Sequence, residues 1–430
     1  MNKTVKQPFD IQAIRSAYQK FKSYVYYDNF NLHLRYKLAE FESQEIETKL
    51  TTLHHCLNRF CMTGSSDKIQ EWIDKSHYII MPKSFMLSEN FGNNNTTFIS
   101  NKGKTGLITL DKPTILYDAP IELFIISTLW TINANQYLPI SPDSYGYVLP
   151  STKSSRLLFE PYFKNYQQWR DKGIQAAKQQ IDQGNNVLFI TLDIKKFFHS
   201  VSIDFNQLRD NFPSNADRHI HKLTDIIEKI CIDHTQKLYP QKNTPILPLG
   251  LPSSGLIANW VLTDFDRDMK NATTPIYYGR YVDDIFVVIP NIEPPVQPKA
   301  VEEWLCDRFF KDNKVLERKG EDLLLRSHKC EGLKIQQKKL RLFYFDAHWS
   351  LALLNKFQAI IQENSSAFWF LPEEEELRDS LDDTYDLQYE DTINKFRSIS
   401  SCKVSKYGAS VFLAKRLKLA ILSPKATTRI

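Results

Sequence analysis

No run of 18 apolar residues occurs in the 430-residue chain, and its first residues, Met-Asn-Lys-Thr-Val-Lys-Gln-Pro, contain no apolar signal core. Neither a membrane span nor export is therefore expected, and the expected compartment is the cytoplasm. Cysteine is sparse: six residues without regular spacing. Cys56 and Cys61 lie near His54 and His55, which suggests zinc, but no second pair at metal-ligand spacing follows. Thiols in a reducing setting are expected instead. There is no internal repeat and no low-complexity tract, and neither charge sign dominates. A formal net charge of +5 and a pI near 8.6 permit nucleic-acid binding without diagnosing it. Apolar and aromatic residues are abundant. The chain is 42% hydrophobic, with 20 Tyr and 27 Phe, enough for a sizeable core and, at this length, two or three domains.

The chain is organised around Tyr281-Val282-Asp283-Asp284, set within Ile276–Ile289. Two β-rich runs flank two carboxylates with no helix former between them, which predicts a tight hairpin carrying both acids at its tip. Adjacent aspartates repel, and a hard divalent cation with oxygen ligands, Mg²⁺ first, would neutralise them. On these four residues alone, an exposed Asp-Asp turn explains the pattern as well. A second predicted strand ending in an aspartate, Val187-Leu-Phe-Ile-Thr-Leu-Asp193, favours chemistry. Two metals held between such carboxylates are the machinery of in-line phosphoryl transfer.

Residues 1 to about 90 read as helical. Ile11, Ile14, Tyr18, Phe21 and Val25 recur at helical spacing after Asp10, and further helices are predicted around Leu32–Thr52 and Lys49–Met62. Tyr18, Tyr24, Tyr26, Tyr27 and Tyr36 read as packing residues, or as a base-stacking surface or a priming hydroxyl. Lys102 and Lys104 lie in a predicted loop or hairpin, where phosphate contact and a solvated turn are both open. Helices are expected over Pro120–Ala134 and Phe163–Gln183, and strand with loop over residues 145–160. Pro248-Leu-Gly-Leu-Pro-Ser-Ser254 should open a helix with a serine as its cap. Trp304–Lys311 reads as helix, and Lys334–Phe345 as turn and strand. Beyond Ala347 the chain reads as helical, with an acidic stretch from Glu373 to Asp386. It closes on a basic amphipathic helix, Val411–Ile421, which either faces nucleic acid or packs conventionally.

In this order the pieces resemble the palm of reverse transcriptases. Thr191-Leu-Asp193-Ile-Lys-Lys-Phe-Phe198 matches motif A, Pro248-Leu-Gly250 through Ser254 to Asn259 motif B, Tyr281-Val-Asp283-Asp284 motif C, and Gly332-Leu-Lys-Ile-Gln-Gln-Lys338 motif D. Outside them, Pro120-Ile-Glu-Leu with Ser127-Thr-Leu-Trp130, Pro161-Tyr-Phe with Tyr166–Asp171, Asn364–Pro372 and Ser405–Arg416 resemble bacterial defence reverse transcriptases. These are the abortive-infection and related "unknown group", retron-like enzymes. The resemblance implies an α/β right-hand polymerase, fingers and palm, with helical N-terminal and C-terminal extensions. Its expected divisions are a helical region at 1–95, fingers at 96–190, palm at 191–350 and a reduced, thumb-like helical region at 351–430.

The resemblance also implies roles. Asp193, Asp283 and Asp284, with the Ile194 carbonyl, would hold two Mg²⁺ ions (Mn²⁺ as an alternative), about 3.5–4 Å apart. Phe198 matches the steric gate that favours dNTPs. Gly250 would let backbone approach the nascent base pair, and Ser254 and Asn259 would orient template and nucleotide. Lys338 would protonate or steady the leaving pyrophosphate, with Lys339 its competitor. Many relatives carry tyrosine-glycine-x-arginine ahead of motif A. Here the stretch reads Tyr145-Gly146-Tyr147-Val148, without the arginine, leaving Lys153 and Arg156 as candidates to grip the triphosphate. No RNase H-like or endonuclease block is visible. The expected activity is RNA-directed DNA synthesis from a small noncoding RNA in anti-phage defence, with dNTPs and an RNA–DNA duplex as partners and oligomerisation left open. An untemplated, protein-primed polymerase and a non-catalytic RNA-binding effector are the alternatives, and Phe198 disfavours an RNA polymerase.

Overall fold

The computed structural model describes residues 9–27, 31–87, 108–152, 154–213, 218–293, 301–311 and 315–348. The predicted acidic stretch, the basic C-terminal helix, the Asn364–Pro372 and Ser405–Arg416 segments, Lys102, Lys104 and Lys153 lie outside them. The chain divides into two compact units, residues 1–84 with 111–349 and residues 85–110 with 350–430. In the second unit only residues 85–87 and 108–110 are described.

Helical spacing of apolar residues builds the amino-terminal region. Helix α1 (Ile11–Tyr27) buries Ile14, Tyr18, Phe21 and Val25 of the predicted stripe, with Ile11 partly buried. The single helix predicted over Leu32–Thr52 is two. Helix α2 (Leu32–Glu42) is capped by the Asn31 side chain on the Leu34 amide, and α3 (Ile46–Thr63) ends on Gly64 at φ 81°, a left-handed stop. After α4 (Asp67–Asp74) the helical expectation fails: His77–Leu87 is strand β1, paired with β2 (Ile108–Asp118) in a two-stranded sheet. The β-branched pair Ile79-Ile80 followed by Pro82 suits an extended chain and opposes a helix.

Helix α5 (Ile121–Ala134) is apolar on every side and is buried accordingly, with α1, α9 (Arg218–Leu238) and α10 (Pro252–Thr273) packed around it. Its few polar groups are paired inward. The Trp130 indole N–H donates to Thr224 Oγ1 of α9 at 2.9 Å. The Ser127 hydroxyl accepts from the Ser253 amide at 2.8 Å and so serves the amino terminus of α10. This replaces the predicted serine cap: the capping residue is Leu251, Pro252 takes the first turn, and the acceptor comes from another helix.

Helix α6 (Tyr162–Asp182) lies against a four-stranded antiparallel sheet of order β4-β5-β3-β8: Tyr277–Tyr281, Asp284–Pro290, Val187–Asp193 and Arg341–Phe345. The strand predicted within residues 145–160 is turn, bend and irregular chain at its described positions, and an isolated bridge from Ser144 to Arg280 lies just before it. Between the sheet strands lie two short helices, α7 (Phe197–Ser200) and α8 (Phe205–Arg209). Then come α11 (Val301–Leu305), which runs on into a wider turn at Cys306–Phe310, and a small hairpin of β6 (Leu316–Lys319) and β7 (Asp322–Leu325). Among the described residues no disulfide forms, and no helix is long and apolar enough to cross a membrane.

Candidate active site

Strand register brings the predicted carboxylates together. Strand β3 pairs with β5 from Val187↔Pro290 to Asp193↔Asp284, so the last residue of one strand faces the first of the other. Directly opposed residues share a face, and two side chains predicted from separate motifs become neighbours. Strands β4 and β5 are joined by only Val282 and Asp283, which makes the predicted tight hairpin, with Tyr281 paired to Asp284. The turn strand is tied to β3 again where the Ile194 amide donates to the Asp283 carbonyl at 3.1 Å.

The turn is strained. Val282 has φ 59° at the first central position, where tight hairpins favour glycine, asparagine or aspartate. A β-branched residue held there costs about 1–3 kcal/mol and persists only when its surroundings impose it. Gly146 provides the room: a Cβ at that position would lie 2.6 Å from Val282 Cγ2 and 3.0 Å from its amide nitrogen. The tyrosine-glycine stretch without its arginine thus has a packing task against the carboxylate turn. Tyr281 sits edge-on to Tyr166, with ring centroids 5.2 Å apart.

Strand β8 stops short of the acids. The pair nearest them is Thr191↔Arg341, where β8 begins, and the chain enters the strand from a single turn at Gln337–Lys339. The Gln336 amide donates to the Asp193 carbonyl at 2.7 Å and the Lys195 amide to the Lys334 carbonyl at 2.8 Å. This brings the Lys339 ammonium onto Asp193, to whose Oδ2 it donates. Lys339 thus stands beside the carboxylates; the Lys338 side chain lies outside the described residues. Burial by itself would lower the Lys339 pKa. The Asp193 hydrogen bond and the charges of Asp284, Asp193 and Asp283 outweigh it and hold that pKa above the ordinary value.

Asp284 is pushed the other way. Burial first, then the charge of Asp283, with a smaller contribution from Asp193, raise its carboxyl to about 7 against the pull of Lys339. The group takes up a proton that it would lack when unfolded. Its contribution to stability is thus fully present at acid pH and is lost as pH rises through about 7. In a chelator, Asp284→Asn should raise the urea midpoint at pH 8 more than at pH 5.5; equal gains at both would contradict this electrostatic picture.

The oxygen donors of Asp193, Asp284 and Asp283 match a hard divalent cation in chemistry, and the raised Asp284 pKa reflects burial first and then neighbouring charge that such a cation would offset. Among the described residues no three His, Cys, Asp or Glu side chains converge into a ready cage. What faces together is the Asp193–Asp284 pair, with Asp283 next on the turn.

The remaining predicted residues are placed less uniformly. Phe198 lies on α7, buried and edge-on to Phe197 at 5.6 Å. Gly250 has φ 100°, a conformation that excludes a side chain, and the preceding Leu249 carbonyl accepts from the Tyr117 amide at 2.9 Å. Ser254 is buried, and its hydroxyl has no hydrogen-bond partner among the described residues. Asn259 departs from expectation. It is 1% exposed and its amide is spent internally: Oδ1 accepts from Ser144 Oγ at 2.7 Å and Arg280 Nη1 at 3.2 Å, and Nδ2 donates to the Gly146 carbonyl at 2.7 Å. Asn259 therefore supports the turn from within. Arg156 is exposed on a loop held to α1, where the Lys20 ammonium donates to the Ser155 and Leu157 carbonyls, and it forms no ion pair among the described residues.

Sequence reasoning missed Arg280 and Asp266, both fully buried. The signal was present. In β4, Tyr278 and Arg280 share one face by the two-residue alternation, and a charge on an inward face demands a buried partner.

A pair of opposed strand-end aspartates with a third in the adjoining tight turn thus stands on a mixed helix–sheet scaffold. The chain belongs to the reverse transcriptase (RNA-dependent DNA polymerase) family, whose model matches residues 133–371, more than half of its length. The family carries the right-hand polymerase fold and generally uses divalent metals such as Mg²⁺. The chain is also similar to the retron Ec73 reverse transcriptase of Escherichia coli, at 32% identity over 123 residues, 24% of this chain and 33% of that protein. It therefore matches about a third of that relative's length.

Proposed function

We propose that the protein is an RNA-directed DNA polymerase that extends a primer with dNTPs on an RNA template in the cytoplasm. The observation that carries this is the Asp193–Asp284 opposition beside Asp283, in a chain of the reverse transcriptase family. In this reading residues 191–350 are the palm, 96–190 the fingers, 1–95 a helical amino-terminal region and 351–430 a thumb-like region. Asp193, Asp283 and Asp284, with the Ile194 carbonyl, would hold two Mg²⁺ ions. When bound, such ions activate the primer hydroxyl and neutralise the triphosphate. Lys339, whose ammonium donates to Asp193, would steady the departing pyrophosphate. Ser254, whose buried hydroxyl has no partner among the described residues, and Gly250 border the nascent pair.

Phe198 excludes the ribose 2′-hydroxyl. Overpacking of this kind costs about 1–3 kcal/mol, so Phe198→Val should reduce the preference for dNTPs over NTPs roughly 10–100-fold. The ratio is measured on one preparation, so it is insensitive to how much of the variant folds. An unchanged ratio removes the gate assignment.

The resemblance to defence enzymes and the similarity to a retron reverse transcriptase support a small structured RNA as template and a role against phage. The test is sequencing of nucleic acid recovered with the protein from cells, beside Asp283→Ala/Asp284→Ala. One discrete RNA with complementary DNA, absent from the variant, is expected. Nucleic acid identical in both preparations overturns the reading. Untemplated DNA covalently attached to protein would point instead to tyrosine priming, for which Tyr26 and Tyr36 are exposed while Tyr18 is buried with its hydroxyl on Glu42.

A further inference from the structure

We infer that Arg280 is the positioning residue of the carboxylate turn, holding the Val282 carbonyl so that Asp283 and Asp284 stay in register with Asp193. This deepens the proposed polymerase reading and rests on it. A two-residue turn with a β-branched residue at positive φ does not hold itself. Slippage by one residue would send Asp284 to the opposite face of the sheet, away from Asp193.

The guanidinium lies beneath the turn, 0% exposed, and points its N–H groups three ways. Nη1 donates to the Val282 carbonyl at 2.9 Å and to Asn259 Oδ1 at 3.2 Å. Nε and Nη2 donate to the two carboxylate oxygens of Asp266, at 2.7 and 2.9 Å. The Tyr278 hydroxyl fixes the same carboxylate at 2.6 Å. The backbone of Arg280 is fixed as well: its amide donates to the Asp143 carbonyl at 2.9 Å, and its carbonyl accepts from the Tyr145 amide at 2.8 Å. Those bonds seat Gly146 against Val282 from the other side, and Asn259 closes the ring by binding the Gly146 carbonyl.

Buried ion pairs are often replaceable by apolar residues without loss of stability, so a mere link between α10 and β4 does not require one. What only arginine supplies is a rigid fork that meets a carboxylate with one edge and a turn carbonyl with another. Lysine keeps the charge beside Asp266 but cannot serve both partners.

The test uses the full-length protein and two substitutions acting from opposite sides. Arg280→Lys removes the bond to the Val282 carbonyl, and Gly146→Ala pushes Val282 through its Cγ2. Primer extension gives kcat and the KM for dNTP, and electron paramagnetic resonance of Mn²⁺ reads metal binding without turnover. Misplacement of the acids should lower kcat about 10–100-fold in each variant, with KM for dNTP within about threefold. Mn²⁺ binding should weaken about tenfold in both, while thermal unfolding stays cooperative. Adding Val282→Ala to Gly146→Ala removes the clashing methyl, though not the close approach to the Val282 amide, and should recover part of kcat.

Wild-type kcat and Mn²⁺ affinity in Arg280→Lys would overturn the inference, as would activity falling only in step with the folded fraction. If wild type extends no primer, the polymerase reading fails, and the Mn²⁺ comparison still decides the positioning role. If wild type binds no Mn²⁺ either, both fall.

Discussion

Asp193→Asn should abolish primer extension, by about 10³-fold or more in kcat, while leaving the fold intact. Asparagine keeps the shape of the side chain. The bonds that hold this strand end are made by backbone, from the Gln336 amide to the Asp193 carbonyl and from the Ile194 amide to the Asp283 carbonyl, and they survive. What disappears is one of two facing charges. In metal-free protein that loss relieves repulsion on Asp284, so the melting temperature in chelator should hold or rise. Lys339, half-exposed, is left to solvent at little cost. Opposite movement of activity and stability is the signature of a functional carboxylate. A variant retaining a tenth of wild-type kcat would remove Asp193 from the chemistry.

Asp266→Ala should be the most damaging single truncation in the sheet region, lowering stability by about 3–5 kcal/mol. It strands the Arg280 guanidinium, fully buried, and takes the acceptor from the buried Tyr278 hydroxyl. An uncompensated interior charge costs far more than the net value of the pair. The replacement Asp266→Leu/Arg280→Met removes both charges and should recover most of the stability measured by urea unfolding. It should not recover primer extension, because nothing then holds the Val282 carbonyl. Recovery of both would assign the pair to packing alone.

The stretches that could be read directly were those where a single pattern decides the outcome. Val187–Asp193 is a continuous apolar run ended by an acid, and Tyr277–Pro290 holds two β-rich runs around a polar pair; both fold as their patterns predict. What could not be read depends on choices between equals. Asp264, Asp266 and Asp268 alternate along one helix, and only packing selects Asp266 for Arg280, Asp264 for Lys329 and Asp268 for the Ser327 hydroxyl. Lys338 and Lys339 are adjacent, and the turn that leads into β8 carries the Lys339 ammonium to Asp193. Asn259 presents a related case: an amide in a motif reads as a ligand contact, and its three internal bonds depend on partners distant in sequence.

The sheet order also bears on when the protein becomes competent during its synthesis. The hairpin β4–β5 is local and can form in microseconds once it has emerged, but β3 is translated well before it and β8 well after. At 5–20 residues per second, a ribosome separates Asp193 from Asp284 by roughly 5–20 s. Until then β3 is an apolar strand without either neighbour, exposed to mispairing or to capture by chaperones. The carboxylates therefore meet late, and Lys339 reaches Asp193 later still. A nascent chain arrested before residue 284 carries no assembled centre, so catalytic competence is tied to translation through most of the matched region.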